Sequence, residues 1–544
     1  MDEPTRLEAM SGSSSVSLSE VHRSVPIPAN VGLFRRLFAF AGPAYLVSVG
    51  YMDPGNWATD LEGGARFGSQ LLWVIVMSNL MAILLQTLSA RLGIVTGRDL
   101  AQACRDEYSR GISLVLWVMC EIAIAACDLA EVLGTAIGIN LLFGIPLLYG
   151  VVITGLDTVL ILVVQHYGIR KIEAFILMLI STMGVCFGIE LLLSKPGVSQ
   201  ILPGLVPRLN QESLYVAIGI LGATVMPHNL YMHSALVQTR VVEQTPAGKR
   251  LACKFNLIDT AVALNAALLV NAAILILSAS VFFKNNIVVT EIQQAHQLLT
   301  PLLGTTLASS LFAIALIASG QSSTLTGTLA GQIVMEGFLR FRMRTWLRRL
   351  VTRLIAIIPA VIVIGVQGDQ ASYGLLILSQ VVLSMQLPFA VVPVIQFTSD
   401  KLKMGEFANK MWVRALAWMV AIVIVGLNAK LVGGSISDLL AGAPGALWPW
   451  LTVVPVAIGC VLLLLYISLP ASWRRRKRVT RERPAALTLV EQKYSRIGVA
   501  LDYGEMDSKV LSHARTLAEY HRADMFLFHV VEGGQRTTLR LHGR

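Results

Sequence analysis

The sequence predicts an all-α polytopic membrane protein of about twelve spans, followed by a small α/β tail. Three observations lead there. Apolar residues make up 55% of the 544-residue chain and charged residues only 14%, with a mean hydropathy of +0.66; a soluble domain needs more charge to cover its surface. Apolar runs of about 20 residues, each long enough to span a bilayer, recur from Phe38 to Leu469. Lysine and arginine gather in alternate connecting loops, as orientation in a membrane requires.

The spans fall at 38–65, 70–93, 112–141, 145–166, 172–194, 214–239, 256–283, 301–339, 350–367, 371–397, 411–430 and 447–469. Several exceed one straight crossing and should tilt, kink or extend past the bilayer. The loops after even-numbered spans, such as YGIRKIE, RFRMRTWLRR and WRRRKRVTRER, are basic, whereas FGIPLL and VQGDQ are nearly bare. That bias puts both termini in the cytoplasm. It also accounts for the net charge of +11 without nucleic acid, and the run Arg474–Arg478 reads as a membrane anchor. The polar segment 1–34 lacks a basic region followed by an apolar one and reads as a disordered tail, not a cleaved signal. None of the six cysteines forms a CxxC pair, so neither a disulfide framework nor a thiolate metal site is expected.

After a basic linker, 471–493, residues 494–544 carry a strand near Ile497–Leu501, a helix in MDSKVLSHARTLAEYHRA and a second strand in DMFLFHVVEGG. About fifty residues bury too little surface to be stable alone. This βαβ unit resembles the opening of a universal stress protein domain without that family's glycine-rich loop, and it is assigned no activity.

Within span 1, GYMDPGNWATD places a charge near mid-membrane, where an aspartate costs on the order of 2.5–3.5 kcal/mol. Pro54 lacks an amide hydrogen and disfavours helix at Asp53, and Gly55 weakens the helix further. Unwinding frees backbone carbonyls that must find a partner in lipid. A cation would answer both needs, with Asn56 as a neutral oxygen ligand; a structural kink with Asp53 paired to another helix is the other reading.

Span 6 contains GATVMPHNLYMHSALVQTR, with Pro227 again at mid-span. Interrupted helices at matching places in two halves point to a transporter site. Their spacing implies a 5+5 inverted repeat, spans 1–5 and 6–10, with two extra helices. Met226 is either a core residue or a thioether ligand facing Asp53; a soft sulfur beside oxygens would favour Mn²⁺ and Fe²⁺ over Mg²⁺ and Ca²⁺. His228 and His233, five apart, do not share a helix face and suit proton handling better than metal binding.

DPGN in span 1 with MPH in span 6 resembles the Nramp family of divalent-metal transporters. The likeness extends through EIAIAACDLAEVLGTAIG, ASGQSSTLTGTLAGQIVMEGFL and LSQVVLSMQLPFAVVP, over about residues 35–470. It implies a leucine-transporter-like fold. It also implies metal ligation by Asp53, Asn56 and Met226, by the carbonyls of Gly50 and Ala223, and by Gln380 in some conformations. The ion is cargo; no cofactor, catalytic residue or obligate protein partner is expected. Family members are similar in coupling metal entry to H⁺. The residues agree: Glu121, Asp128 and Glu131 lie along one apolar helix, at spacings that share a face or neighbour each other. Intramembrane acids read as a proton relay, with a structural salt-bridge network as the alternative. Asp53 would accept first, with His228 nearby, then Glu131 and Asp128, then Glu121. Arg240 could pair with these acids, His233 could take part, and Gln86 could organise the network.

The combined expectation is a proton-coupled importer of Mn²⁺ and Fe²⁺ in a bacterial inner membrane. Two other classes compete. An organic-substrate carrier of the same fold, such as one for amino acids, would want helix amides for a carboxylate, which Asp53 would repel. A metal-responsive signalling protein would use the tail as output, against which the short tail and twelve spans argue.

Overall fold

The computed structural model describes residues 17–18, 21–28, 31–156, 168–289, 291–339, 345–442, 448–469, 494–501, 507–530 and 536–541. The chain divides into two units, Met1–Leu469 and Pro470–Arg544.

The first unit is helical. Span 1 is built from α1 (Leu33–Phe40), α2 (Pro43–Val49) and α3 (Pro54–Phe67). Next come α4 (Leu72–Thr96), α5 (Leu100–Glu107), α6 (Arg110–Phe143), α7 (Leu147–Ile153) and α8 (Ile169–Ser194). Span 6 is α9 (Gln211–Thr224) and α10 (Pro227–Leu236). The unit ends with α11 (Pro246–Val281), α12 (Ile292–Leu303), α13 (Thr306–Leu339), α14 (Thr345–Gln367), α15 (Ala371–Ser399), α16 (Met411–Gly442) and α17 (Val453–Ser468).

Nine helical stretches among the described residues are long and apolar enough to cross a membrane. A 3-10 turn, Gly68–Leu71, joins α3 and α4, so expected spans 1 and 2 form one of these stretches. Spans 4 and 12 coincide with the shorter apolar helices Leu147–Leu156 and Val453–Ser468. Residues 157–166 and the run Arg474–Arg478 lie outside the described residues. Span 8 departs from its expected bounds: Gly304, at φ +72°, ends α12, and α13 starts afresh at Thr306. A glycine in the left-handed region is a common helix stop.

An inverted repeat requires mated interfaces, and they are present. α3 of span 1 packs on α11 of span 7, while α10 of span 6 packs on α4 of span 2. α6 of span 3 packs on α15 of span 10, while α13 of span 8 packs on α8 of span 5. The contact of α6 with α13 is the most extensive.

Part of the N-terminal segment expected to be disordered is held in place. Gln102 Nε2 donates to Ser17 Oγ (3.1 Å), and Leu18 N to Glu336 Oε2 (2.9 Å). Val25 N donates to Thr239 O (3.0 Å), and Val25 O accepts from Val241 N (2.9 Å), so this strap grips the chain just past α10.

In the second unit, β1 (Arg496–Leu501) pairs in parallel with β2 (Asp524–Val530), with α18 (Asp507–His521) between them in sequence. A further strand, β3 (Arg536–Leu541), pairs antiparallel with β2. It was not expected from the sequence, because RTTLRL holds only two apolar residues, too few to mark a strand apart from its partner β2.

Candidate metal site

The first break follows from local chemistry. Helix α2 ends in a 3-10 turn, Gly50–Met52, and Asp53 is extended (φ −70°, ψ 164°). Asp53 is then the N-cap of α3, with Pro54 as its first helical residue, a pairing that suits a helix start. Its Oδ1 accepts from Asn56 N (3.0 Å) and its Oδ2 from Gly55 N (3.3 Å). Trp57, wedged between Phe187 (4.7 Å) and Phe312 (5.4 Å), donates from Nε1 to Met52 O (3.2 Å) and so fixes the turn.

Three oxygens converge there on one donor. Asn56 Nδ2 reaches Asp53 Oδ1 (2.6 Å), Ala223 O (3.0 Å) and Gly50 O (3.4 Å). Two of the three are backbone carbonyls freed by the two breaks. Gln380 Nε2 approaches Asp53 Oδ2 (3.4 Å), and Gln380 Oε1 is buried without a hydrogen bond. Gly55 permits that approach, since a Cβ there would lie 1.6 Å from Gln380 Nε2. A cleft lined by Thr59, Glu62, Tyr215, Gly219 and Ser384 extends to Gln380 alongside α3.

The second break is the counterpart. Met226 is extended (φ −80°, ψ 130°) ahead of Pro227 and caps α10 without a side-chain bond. It is fully buried and packs in a small cluster with Ala123, Cys127 and Leu383.

Beside the breaks, Asp128 and Glu131 of α6 face Gly327 of α13, whose missing side chain leaves room for both: a Cβ would lie 3.1 Å from Asp128 Oδ1 and 3.0 Å from Glu131 Oε1. Arginines from α14 answer these acids. Arg353 Nη1 lies 3.9 Å from Glu131 Oε2, and Arg348 Nη2 lies 3.1 Å from Glu121 Oε1. Sequence reasoning missed both arginines. The available signal was Arg353 itself, a cation inside an apolar span.

The two histidines separate. His228 Nε2 lies 4.0 Å from Cys127 Sγ, near the acids, and His228 Nδ1 has no hydrogen-bond partner. His233 joins a second polar cluster, with Nδ1 3.0 Å from Gln86 Oε1 and Nε2 3.1 Å from Asn256 Oδ1. Gln86 Nε2 also donates to Tyr51 Oη (2.9 Å), tying this cluster to the first break. Arg240 does not pair with the acids of α6, contrary to expectation. The 3-10 turn Val237–Thr239 after α10 swings it towards the α1–α2 junction. There it donates to Phe40 O (2.8 Å) and Ala41 O (2.8 Å) and pairs with Glu173 (2.7 Å). Gly42 at φ +138° makes the space, as a Cβ would lie 2.3 Å from Arg240 Nη2.

Known proteins resemble this chain in sequence and fold. The family model described as natural resistance-associated macrophage protein-like, Nramp, matches residues 44–433. The chain is 58% identical over 444 residues to the divalent metal cation transporter MntH of Nostoc sp., covering 81% of this chain and 98% of that protein. It is 54% identical over 430 residues to the divalent metal cation transporter MntH of Listeria innocua, covering 78% and 96%. The solved manganese transporter of Eremococcus coleocola, in complex with an aromatic bis-isothiourea substituted compound, is 38% identical with a TM-score of 0.77, covering 83% of this chain and 98% of that one. Mhp1, a nucleobase-cation-symport-1 family transporter, is 15% identical with a TM-score of 0.52, covering 80% and 93%, and shares the fold. With a family match across both broken helices and relatives more than half identical along nearly their whole length, the chain belongs to the Nramp family.

Proposed function

We propose that this protein imports Mn²⁺, with Fe²⁺ as a second cargo, coupled to H⁺, across a bacterial inner membrane by alternating access. The observation that carries this is the convergence of Asp53, Gly50 and Ala223 oxygens on the Asn56 amide, where the two breaks meet. An amide N–H₂ is a partial positive charge. Turning the Asn56 side chain exchanges that donor for Oδ1, and the same three oxygens then face a cation together with it. Met226 supplies the soft donor that disfavours Ca²⁺ and Mg²⁺. The names of the Nostoc and Eremococcus relatives, a divalent metal cation transporter and a manganese transporter, support the cargo.

In this reading the cleft beside Thr59 and Glu62 admits the ion, the half-helices α3 and α9 close over it, and α2 and α10 then part on the other side. A proton taken by Asp53 passes by way of His228 to Glu131 and Asp128, and on to Glu121. The loop charges support this orientation, with both termini on the cytoplasmic side.

The test is metal uptake into proteoliposomes under an inward proton gradient. Asp53→Ala should abolish Mn²⁺ uptake, and Met226→Ala should weaken discrimination against Ca²⁺. Unchanged uptake in Asp53→Ala would place the metal site elsewhere.

A further inference from the structure

One sulfur at the site remains unused. Cys127 of α6 is buried in the same small cluster as Met226, apart from the main core. Its Sγ lies 3.5 Å from Glu131 Oε1 and 4.0 Å from His228 Nε2. A cysteine used only as packing sits among carbon atoms. This one faces a carboxylate and an imidazole, between the break at Met226 and the acids of α6. Two polar groups have unmet capacity, His228 beside the sulfur and Gln380 beside Asp53: His228 Nδ1 and Gln380 Oε1 are both buried without a hydrogen bond. A soft, thiophilic ion seated at the breaks would therefore find a thiol within the same cluster as the thioether.

We propose that Cys127 is a specificity-determining residue, a second sulfur donor that ligates soft divalent ions, Cd²⁺ foremost, while leaving Mn²⁺ to the oxygens and Met226. The inference rests on the metal-site reading above. When Cd²⁺ binds, the Cys127 S–H bond breaks and a Cd–S bond forms. The proton passes to the Glu131 carboxylate that the thiol already faces, and no electron is transferred. Mn²⁺, the harder ion, gains little from a thiolate.

The experiment uses the purified full chain and titrates Cd²⁺ and Mn²⁺ calorimetrically into wild type and Cys127→Ser. Serine keeps the hydrogen bond and the small volume but removes the soft donor. Cd²⁺ affinity should fall about tenfold or more, since even the loss of a group that only supports a ligand costs on that scale, with Mn²⁺ affinity nearly unchanged. An ultraviolet thiolate-to-cadmium charge-transfer band should appear in wild type, persist when the other five cysteines are serine, and vanish in Cys127→Ser. No Cys127-dependent band, or an equal fall for both ions, would overturn the proposal. Failure of the site reading shows differently: Asp53→Ala would then keep its affinity for both ions.

Discussion

Asp53 serves two purposes that substitution can separate. Its carboxylate caps α3 through Gly55 N and Asn56 N, and it also offers an oxygen to the point where Gly50 and Ala223 carbonyls meet. Asparagine is as good an N-cap as aspartate, whereas alanine loses a cap of about 1 kcal/mol. Asp53→Asn and Asp53→Ala should therefore both abolish Mn²⁺ uptake, while only Asp53→Ala lowers the unfolding free energy. Uptake retained in Asp53→Asn would mean that the charge is not needed. The DPGN stretch announced its break and its donors because proline, glycine and a mid-membrane acid are local signals. Close approaches were not legible. Gly134 lets α6 touch the break, since a Cβ there would sit 2.1 Å from Pro54 Cγ, and nothing within α6 reveals which helix meets its glycine. Gly134→Ala should cost about 1–3 kcal/mol by overpacking and slow uptake, measured by thermal unfolding alongside transport.

Pairs of elements decide what isolated motifs leave open. The acids of α6 could be read as a relay or as a salt-bridge network, and α14 brings Arg348 and Arg353 to two of them. Charge counting by loops hid these arginines, because a basic residue near a span end looks like an orientation signal. Arg240 was misassigned for the opposite reason: its position in sequence suggested the acids, but the turn after α10 aims it elsewhere. If the acids relay protons, Glu131→Gln should leave Mn²⁺ binding intact while metal-driven proton uptake falls severalfold, read with a pH dye in proteoliposomes; normal proton uptake would favour a structural role. The strap makes a separate prediction. Removing residues 1–28 deletes the bonds from Val25 to Thr239 and Val241, so amides at 237–241 should exchange faster than in the full chain. A third concerns α5, which Asp99 caps by accepting from Gln102 N (2.8 Å). Burial raises the Asp99 carboxyl from 3.8 to about 6. Between those values the folded state holds more protons than the unfolded one, so this group's contribution to stability falls as pH rises through that window. Asp99→Asn keeps a cap and removes the titration, and its unfolding free energy should lose that part of the pH dependence.

For the molecule as a whole, the repeat was legible in advance because two prolines five spans apart report an internal symmetry that the helix contacts reproduce. Span lengths were less so. The stop at Gly304 depends on a backbone conformation that hydropathy does not register, and β3 depends on a pairing partner, β2. The symmetry also frames the decisive ligand test. An occluded ion would bind donors from both halves, Asp53 and Asn56 from the first and Ala223 and Met226 from the second, so it links α3 to α9 and α10 only when the chain is folded. Anything that binds the folded state alone stabilises it by mass action, about 2.7 kcal/mol at a hundred times its dissociation constant. Mn²⁺ should therefore raise the thermal midpoint of the purified protein in a concentration-dependent way, and an amino acid such as leucine should not. The shift should vanish in Asp53→Ala. It should persist in a chain ending at Leu469, where the first compact unit ends, because every donor lies before that point. Stabilisation by the amino acid instead of the metal would turn the reading towards an organic-substrate carrier, and loss of the metal shift on truncation would give the tail a part in forming the site.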